Sequence, residues 1–175
     1  MTQYDHEHAG KLRITWEQFD ALCRALAAMV RSYDPQVIIG IAKGGLLPAT
    51  ILASRLQREF YPMRISRRHN EQIIREKPEL LMGPPPVLAG QRVLIVDDIA
   101  ATGETLAIAL EACQAEHPAQ VRTACLCTHS FGERPDYVAL ISDALVVFPW
   151  DRQALEQQPD VPETEPRAET LTDDS

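Results

Sequence analysis

The chain has 175 residues, 45% of them hydrophobic, which suits one domain whose apolar residues cover both faces of a central sheet. Its net charge of -8 is uneven: eight acids and two bases fall from Asp151 onward, leaving a near-neutral body without the basic face that a nucleic-acid binder needs. Uncharged stretches such as Val138 to Leu140 and Ala144 to Trp150 are too short to cross a bilayer, and no apolar run behind basic residues opens the sequence, so a cytoplasmic protein without membrane or nucleic-acid partners is expected.

Residues 1–10 are polar and are expected to form a flexible N-terminus, where His6, Glu7 and His8 would hold a metal only weakly. Thr15 followed by Gln18 reads as a capping box, and Phe19, Leu22, Cys23, Leu26 and Val30 then recur at helical spacing. Tyr33-Asp34-Pro35 ends that helix. Val37 to Ile41 is the continuous apolar run of a strand buried on both faces; Lys43-Gly44-Gly45 breaks it, and Pro48 leads into a helix to about Phe60. A short strand near Met63 to Ser66 precedes a long loop, Arg67 to Gly90, of the length found in lids and binding loops, within which Glu71 to Glu76 could form a short helix.

A second strand-to-helix unit follows: Val93 to Val96, an Asp97-Asp98 turn, and a helix from about Thr102 to Glu116. Strands are expected at Val121 to Thr128 and Tyr137 to Ile141, with a short extended segment from Leu145 to Phe148. Alternating strands and helices imply an α/β fold, a doubly wound, mostly parallel sheet of about five strands. The four cysteines, Cys23, Cys113, Cys125 and Cys127, lack a metal or redox spacing and are expected to be reduced, with Cys125 and Cys127 on one strand face. The domain is expected over residues 11–152, and 153–175 form an acidic, Pro-rich tail whose composition predicts disorder.

The chemistry concentrates in the two turns. Asp97 and Asp98 stand at the carboxyl end of a central strand, where open α/β sheets bind ligands. Adjacent carboxylates there cannot both turn into the core, so at least one must meet a cation, a hydroxyl or water. Ala100-Ala101-Thr102-Gly103-Glu104-Thr105 then offers small side chains, a permissive glycine and two hydroxyls at a helix start, a ready anion site. The simpler alternative is that the acids cap a helix and Thr102-Gly103 is ordinary turn chemistry.

The stretch Val93 to Thr105 resembles the phosphoribosyl pyrophosphate signature of type I phosphoribosyltransferases: a hydrophobic strand, two acids, small residues, then Thr-Gly-x-Thr. The resemblance covers about Ile14 to Arg152. It is greatest to short bacterial and archaeal purine transferases acting on xanthine, guanine or hypoxanthine, which share the Ile14-Thr15-Trp16 opening and the Phe148-Pro149-Trp150 close. The fold this implies carries a mobile loop and a small hood. The resemblance also implies transfer of a phosphoribosyl group to a nucleobase with release of pyrophosphate, a magnesium cofactor, and a homo-oligomer, dimer or tetramer.

Residue by residue, the resemblance gives Asp97 and Asp98 the ribose hydroxyls and Mg2+, partly through ribose or water, and gives Ala100 to Thr105 the 5-phosphate. Lys43 and Gly44 fall in the pyrophosphate loop. Lys43, Asp97 and Asp98 would be catalytic, with Arg67, Arg68 and His69 as mobile-loop cations. The nucleobase pocket falls to His129, Leu145 and Phe148. That pocket departs from the purine pattern: Ala101 replaces the usual aspartate base, His129 the lysine that reads the exocyclic oxygen, and Leu145 the stacking aromatic. Asp143 and Glu104 are the acids that could substitute for the missing base. A non-catalytic sensor of phosphoribosyl pyrophosphate or of a nucleotide is the alternative, since it needs both phosphate turns and no intact base pocket.

Overall fold

The computed structural model describes residues 10–69, 72–131 and 134–156. The expected flexible start and acidic tail therefore lie, apart from Gly10 and the stretch up to Glu156, outside the described residues, as do His6, Glu7 and His8.

The elements in chain order are β1 (Lys11–Arg13), α1 (Trp16–Val30), β2 (Val37–Ala42), α2 (Leu46–Leu56), β3 (Glu59–Ser66), β4 (Arg68–His69), β5 (Gln72–Ile73), β6 (Glu79–Met82), a 3-10 turn (Pro86–Leu88), β7 (Arg92–Ala100), α3 (Glu104–Gln114), β8 (Gln120–Thr128), β9 (Tyr137–Ile141), β10 (Leu145–Val147) and α4 (Arg152–Leu155). The main sheet has six strands in the order β6-β3-β2-β7-β8-β9, one more than expected. β6 is the addition, pairing antiparallel with β3 at one edge. It comes from the segment expected to be loop, where Leu80-Leu81-Met82 gave too short a pattern to distinguish a strand.

The capping box forms as expected: Gln18 N donates to Thr15 Oγ1 at 3.2 Å and Thr15 N donates to Gln18 Oε1 at 2.8 Å. α1 buries Phe19, Cys23, Leu26, Ala27 and Val30, the stripe its spacing dictates. Together with α2 it covers one face of the sheet over Ile38, Leu94, Val96 and Leu126. α3 covers the other face with Leu106, Ala109 and Cys113, against Val37, Ile39, Val93 and Ile95. Alternate residues of β2 and β7 thus serve opposite cores, which is why both strands read as unbroken apolar runs.

Three boundaries move for physical reasons. α2 stops at Leu56, because Gln57 takes a left-handed conformation (φ 54°) and Glu59 and Phe60 are claimed by parallel pairing with Val37 and Ile38. The expected helix over Glu71 to Glu76 is absent from its described part: Gln72 and Ile73 pair with His69 and Arg68 instead, local helical spacing losing to strand pairing. Cys125 and Cys127 are both buried free thiols, but they pack into opposite cores rather than on one face. The ladder between β7 and β8 runs to Asp97↔Cys125 and resumes at Ile99↔Cys127, so simple alternation fails there.

β1 and β10 pair in parallel as a separate two-stranded sheet, the small hood, joining residues from opposite ends of the described chain. No helix among the described residues is long and apolar enough to cross a membrane.

Candidate active site

β2 and β7 are neighbours in register from Val37↔Val93 to Gly40↔Val96, so the turns that follow them emerge side by side. They meet closely. A Cβ built on Gly44 would stand 1.8 Å from Asp98 Oδ2, and one on Gly45 would stand 2.7 Å from both Ile41 O and Val96 O. Only glycine lets the Lys43-Gly44-Gly45 backbone lie against the acidic turn. The peptide between Ala42 and Lys43 is cis.

Asp97 is buried and Asp98 half-buried. The Asp98 amide donates to Asp97 Oδ1 at 3.0 Å, and the Ile99 amide donates to Asp98 Oδ1 at 2.8 Å. Burial drives the Asp97 carboxyl well above the usual carboxylate range, with the Asp98 charge adding to it. Burial raises Asp98 as well; the Ile99 amide opposes this and the Asp151 carboxylate reinforces it. Such a pair is at ease only when a cation or hydroxyl donors compensate it. Asp151, whose Oδ2 accepts the Phe148 amide at 2.6 Å, is a neighbour of the acidic pair that sequence reading missed. It lies more than fifty residues downstream, and only folding brings it near.

Beyond the acids the chain bends through Ala101 and Thr102 to Gly103, whose φ of 85° places it in the left-handed region as the residue preceding α3. No side chain caps this helix start, so its first amides point into the turn, where an anion would satisfy them. The whole stretch from Ala100 to Thr105 lines a cavity of about 310 Å³, within the range of small-molecule sites.

The cavity collects most of the expected site. Asp97 is at one end; Arg67 and Pro78 border it from the segment after β3, and His129, Phe131 and Leu145 from the ends of β8 and β10. Lys43, Gly44 and Asp98 are not in its lining and instead form the seam between the two turns. Arg68 and His69 form β4, beside Arg67.

Phe148 is placed elsewhere. It is 1% exposed, stacked on Trp150 at 4.6 Å and packed in the core with Phe19, so it is a core residue and not part of the cavity wall. Its apolar neighbours in a β10 strand made either role readable from sequence. The aromatic ring that does reach the cavity is Phe131, stacked on His129 with centroids 5.0 Å apart and planes 5° apart. An aromatic two residues beyond His129, just past the end of β8, was the available signal.

His129 is buried, and its Nδ1 lies 2.7 Å from the Ser142 carbonyl oxygen. Next to it, Ser130 donates through N and Oγ to the Asp143 carboxylate, both at 2.8 Å. Those bonds hold the Asp143 carboxyl below its ordinary range and occupy it in fastening the turn. Glu104, the other acid considered as a base, does line the cavity. Among the described residues no three His, Cys, Asp or Glu side chains gather as a metal cluster.

The family model described as phosphoribosyl transferase domain matches residues 15–157. The chain belongs to the phosphoribosyltransferase family. That family comprises glycosyltransferases of the pentosyl class. A purine phosphoribosyltransferase from Pyrococcus horikoshii Ot3 has a similar structure, with a TM-score of 0.72 and 33% identity, covering 81% of this chain and 94% of that one. The chain is 34% identical to an adenine phosphoribosyltransferase of Kineococcus radiotolerans over 53% of its own length and 54% of the relative's. It is 31% identical to an orotate phosphoribosyltransferase of Maricaulis maris over 72% of its own length and 62% of the relative's. The match thus spans little more than half of those two relatives.

Proposed function

We propose that this protein transfers the 5-phosphoribosyl group of phosphoribosyl pyrophosphate to a nucleobase, a purine, with release of pyrophosphate. The observation that carries the reading is the seam at Gly44 and Asp98, where a glycine turn packs against the acidic turn that leads into the cavity-lining stretch from Ala100 to Thr105. The 5-phosphate is held by the amides and hydroxyls of Thr102 to Thr105, at the positive end of α3. Asp97 and Asp98 take the ribose hydroxyls, which would supply the donors that a buried and a half-buried carboxylate require. Lys43 and the Gly44 backbone face the pyrophosphate, and Arg67 adds a cation at the cavity rim.

The donor set suits magnesium, which is commonly held by one or two carboxylates together with substrate oxygens rather than by a full protein cage. Asp97 and Asp98 would hold it, and it would supply charge neutralisation on the leaving pyrophosphate. The acceptor base would occupy the end of the cavity bounded by Ala101, His129, Phe131 and Leu145. The reading carries a homo-oligomeric assembly with it, which sedimentation velocity would check.

The deciding experiment supplies phosphoribosyl pyrophosphate, magnesium and a panel of nucleobases to the full chain and follows pyrophosphate release. Release that depends on a particular purine supports the proposal. Tight binding of phosphoribosyl pyrophosphate with silence across the panel would replace it with the sensor reading.

A further inference from the structure

Just ahead of β2, at the end of that strand away from Lys43, a cleft of about 220 Å³ is lined by Arg31, Asp34, Pro35, Arg55, Leu56 and Arg58. Roughly 20 Å of strand separates it from the Lys43-Gly44-Gly45 turn. It opens where α1 and α2 both stop. Asp34 (φ 52°) and Gln57 (φ 54°) turn the chain left-handed beyond the two helices, so Arg31 from one helix end and Arg55 and Arg58 from the other line one space.

Helix capping does not account for these cations. Val30 O accepts the amides of Tyr33 at 3.1 Å and Asp34 at 3.3 Å, Arg31 O accepts the Asp34 amide at 3.2 Å, and Ala53 O accepts the Arg58 amide at 2.9 Å. Backbone donors thus already serve these carbonyls. Nor do carboxylates neutralise the cluster. Asp34 is divided between Arg58 at 2.6 Å and Arg92 at 2.8 Å, and Asp20, outside the lining, is divided between Arg24 and Arg55. Arg31 makes no ion pair with any described residue. Three guanidiniums around one shared carboxylate leave the cleft positive in a chain whose net charge is -8.

We propose that this cleft is a second anion site, taking a dianionic phosphoryl group, either free phosphate or the phosphate of a small monoester. Guanidinium forks match phosphoryl oxygens in bidentate geometry, and an anion among the three relieves their mutual repulsion. The volume lies below the range of sites that enclose a whole small molecule, so it suits the phosphoryl group itself, with any attached body left in solvent. Its lining shares no residue with the cavity from Asp97 to Leu145, and the site does not rest on the reading given above for that cavity.

The test follows the amide resonances of the full chain by two-dimensional NMR in magnesium-free buffer. Inorganic phosphate is added in one titration and ribose 5-phosphate in another. At least one of them should move the amides of Arg31, Asp34 and Arg58 saturably, whatever it does at Thr102 to Thr105. Tighter binding of ribose 5-phosphate at these amides assigns the site to a phosphate monoester, and tighter binding of inorganic phosphate assigns it to the free ion. Arg31→Gln should weaken binding there roughly five- to tenfold, the loss of one charged hydrogen-bonding group, and leave any shifts at Thr102 to Thr105 in place. Arg58→Gln should do the same and stands in if the first variant does not fold by circular dichroism. No saturable shift at the three amides with either anion, equal shifts from sodium chloride at matched ionic strength, or an affinity indifferent to both folded variants overturns the proposal.

Discussion

Gly44 lies so close to Asp98 that a methyl group on its Cα would stand 1.8 Å from the carboxylate Oδ2 and 2.4 Å from Cγ. Such distances cannot be relieved by a small side-chain rotation, because Asp98 Oδ1 is already engaged by the Ile99 amide.

Gly44→Ala should therefore separate the two turns and weaken phosphoribosyl pyrophosphate at least tenfold, with about 1–3 kcal/mol of strain to accommodate. Calorimetric titration with that ligand, beside a far-ultraviolet spectrum showing the sheet intact, checks it. Unchanged affinity would mean that the seam has no part in binding.

Neutralising one acid should have opposite effects on stability and activity. Asp97 and Asp98 are both held above their ordinary range by burial, so Asp97→Asn or Asp98→Asn removes a cost from the folded state. In magnesium-free buffer either variant should melt a few degrees higher, each kcal/mol being worth roughly 2–4 °C in a domain of this size. Asp98→Asn should also abolish base-dependent pyrophosphate release. A melting temperature that falls would place a stabilising role on the charge itself.

Phe131 and Phe148 should part company. Phe148→Ala opens a hole beneath Trp150 and should cost about 3–5 kcal/mol while leaving base preference alone. Phe131→Ala, at a side chain 55% exposed, should cost little stability and raise the KM for the base several-fold. Denaturant melts and a nucleobase kinetic series on both variants decide between these roles.

Tyr33 gives the pH dependence. Its hydroxyl donates to Val93 O at 2.9 Å, with Gln120 O at 3.1 Å, and burial raises its pKa to about 12. An acid whose folded pKa lies above its unfolded value of about 10 keeps its proton longer in the folded state, so its stability contribution holds below pH 10 and is lost as pH rises towards 12. Tyr33→Phe should lower stability by about 1–2 kcal/mol at neutral pH and flatten the decline between pH 10 and 12. Urea melts across that window measure it.

Local chemistry was readable where the sequence itself dictated geometry. Thr15 and Gln18 form their reciprocal cap, the apolar runs of β2 and β7 become central strands, and Asp97 together with the residues from Ile99 to Thr105 arrives at one cavity because strand end, glycine and helix start are consecutive. What escaped depends on distant pairing. β6 exists because β3 offers it an edge, and Phe148 is core because Trp150 and Phe19 close over it. Asp151 was likewise invisible as a site neighbour, since it belongs to no pattern of fixed spacing, and Phe131 offered only its nearness to His129.

The two-stranded hood couples places far apart in the chain. Leu145, part of the cavity wall, pairs with Lys11 and donates its amide to Gly10 O at 2.9 Å, while Ile14 N reaches Val147 O at 2.9 Å. The first described residues thus act as a splint for one wall of the cavity, and through these pairings they reach neither the Lys43-Gly44-Gly45 turn nor the Asp97-Asp98 turn. Trimming the chain up to Arg13, or straining it with a tightly abutted fusion tag, would loosen that wall while sparing the sugar-phosphate cradle. Such a preparation would show blurred discrimination among bases alongside ordinary handling of the donor, and cleavage of the tag would restore it.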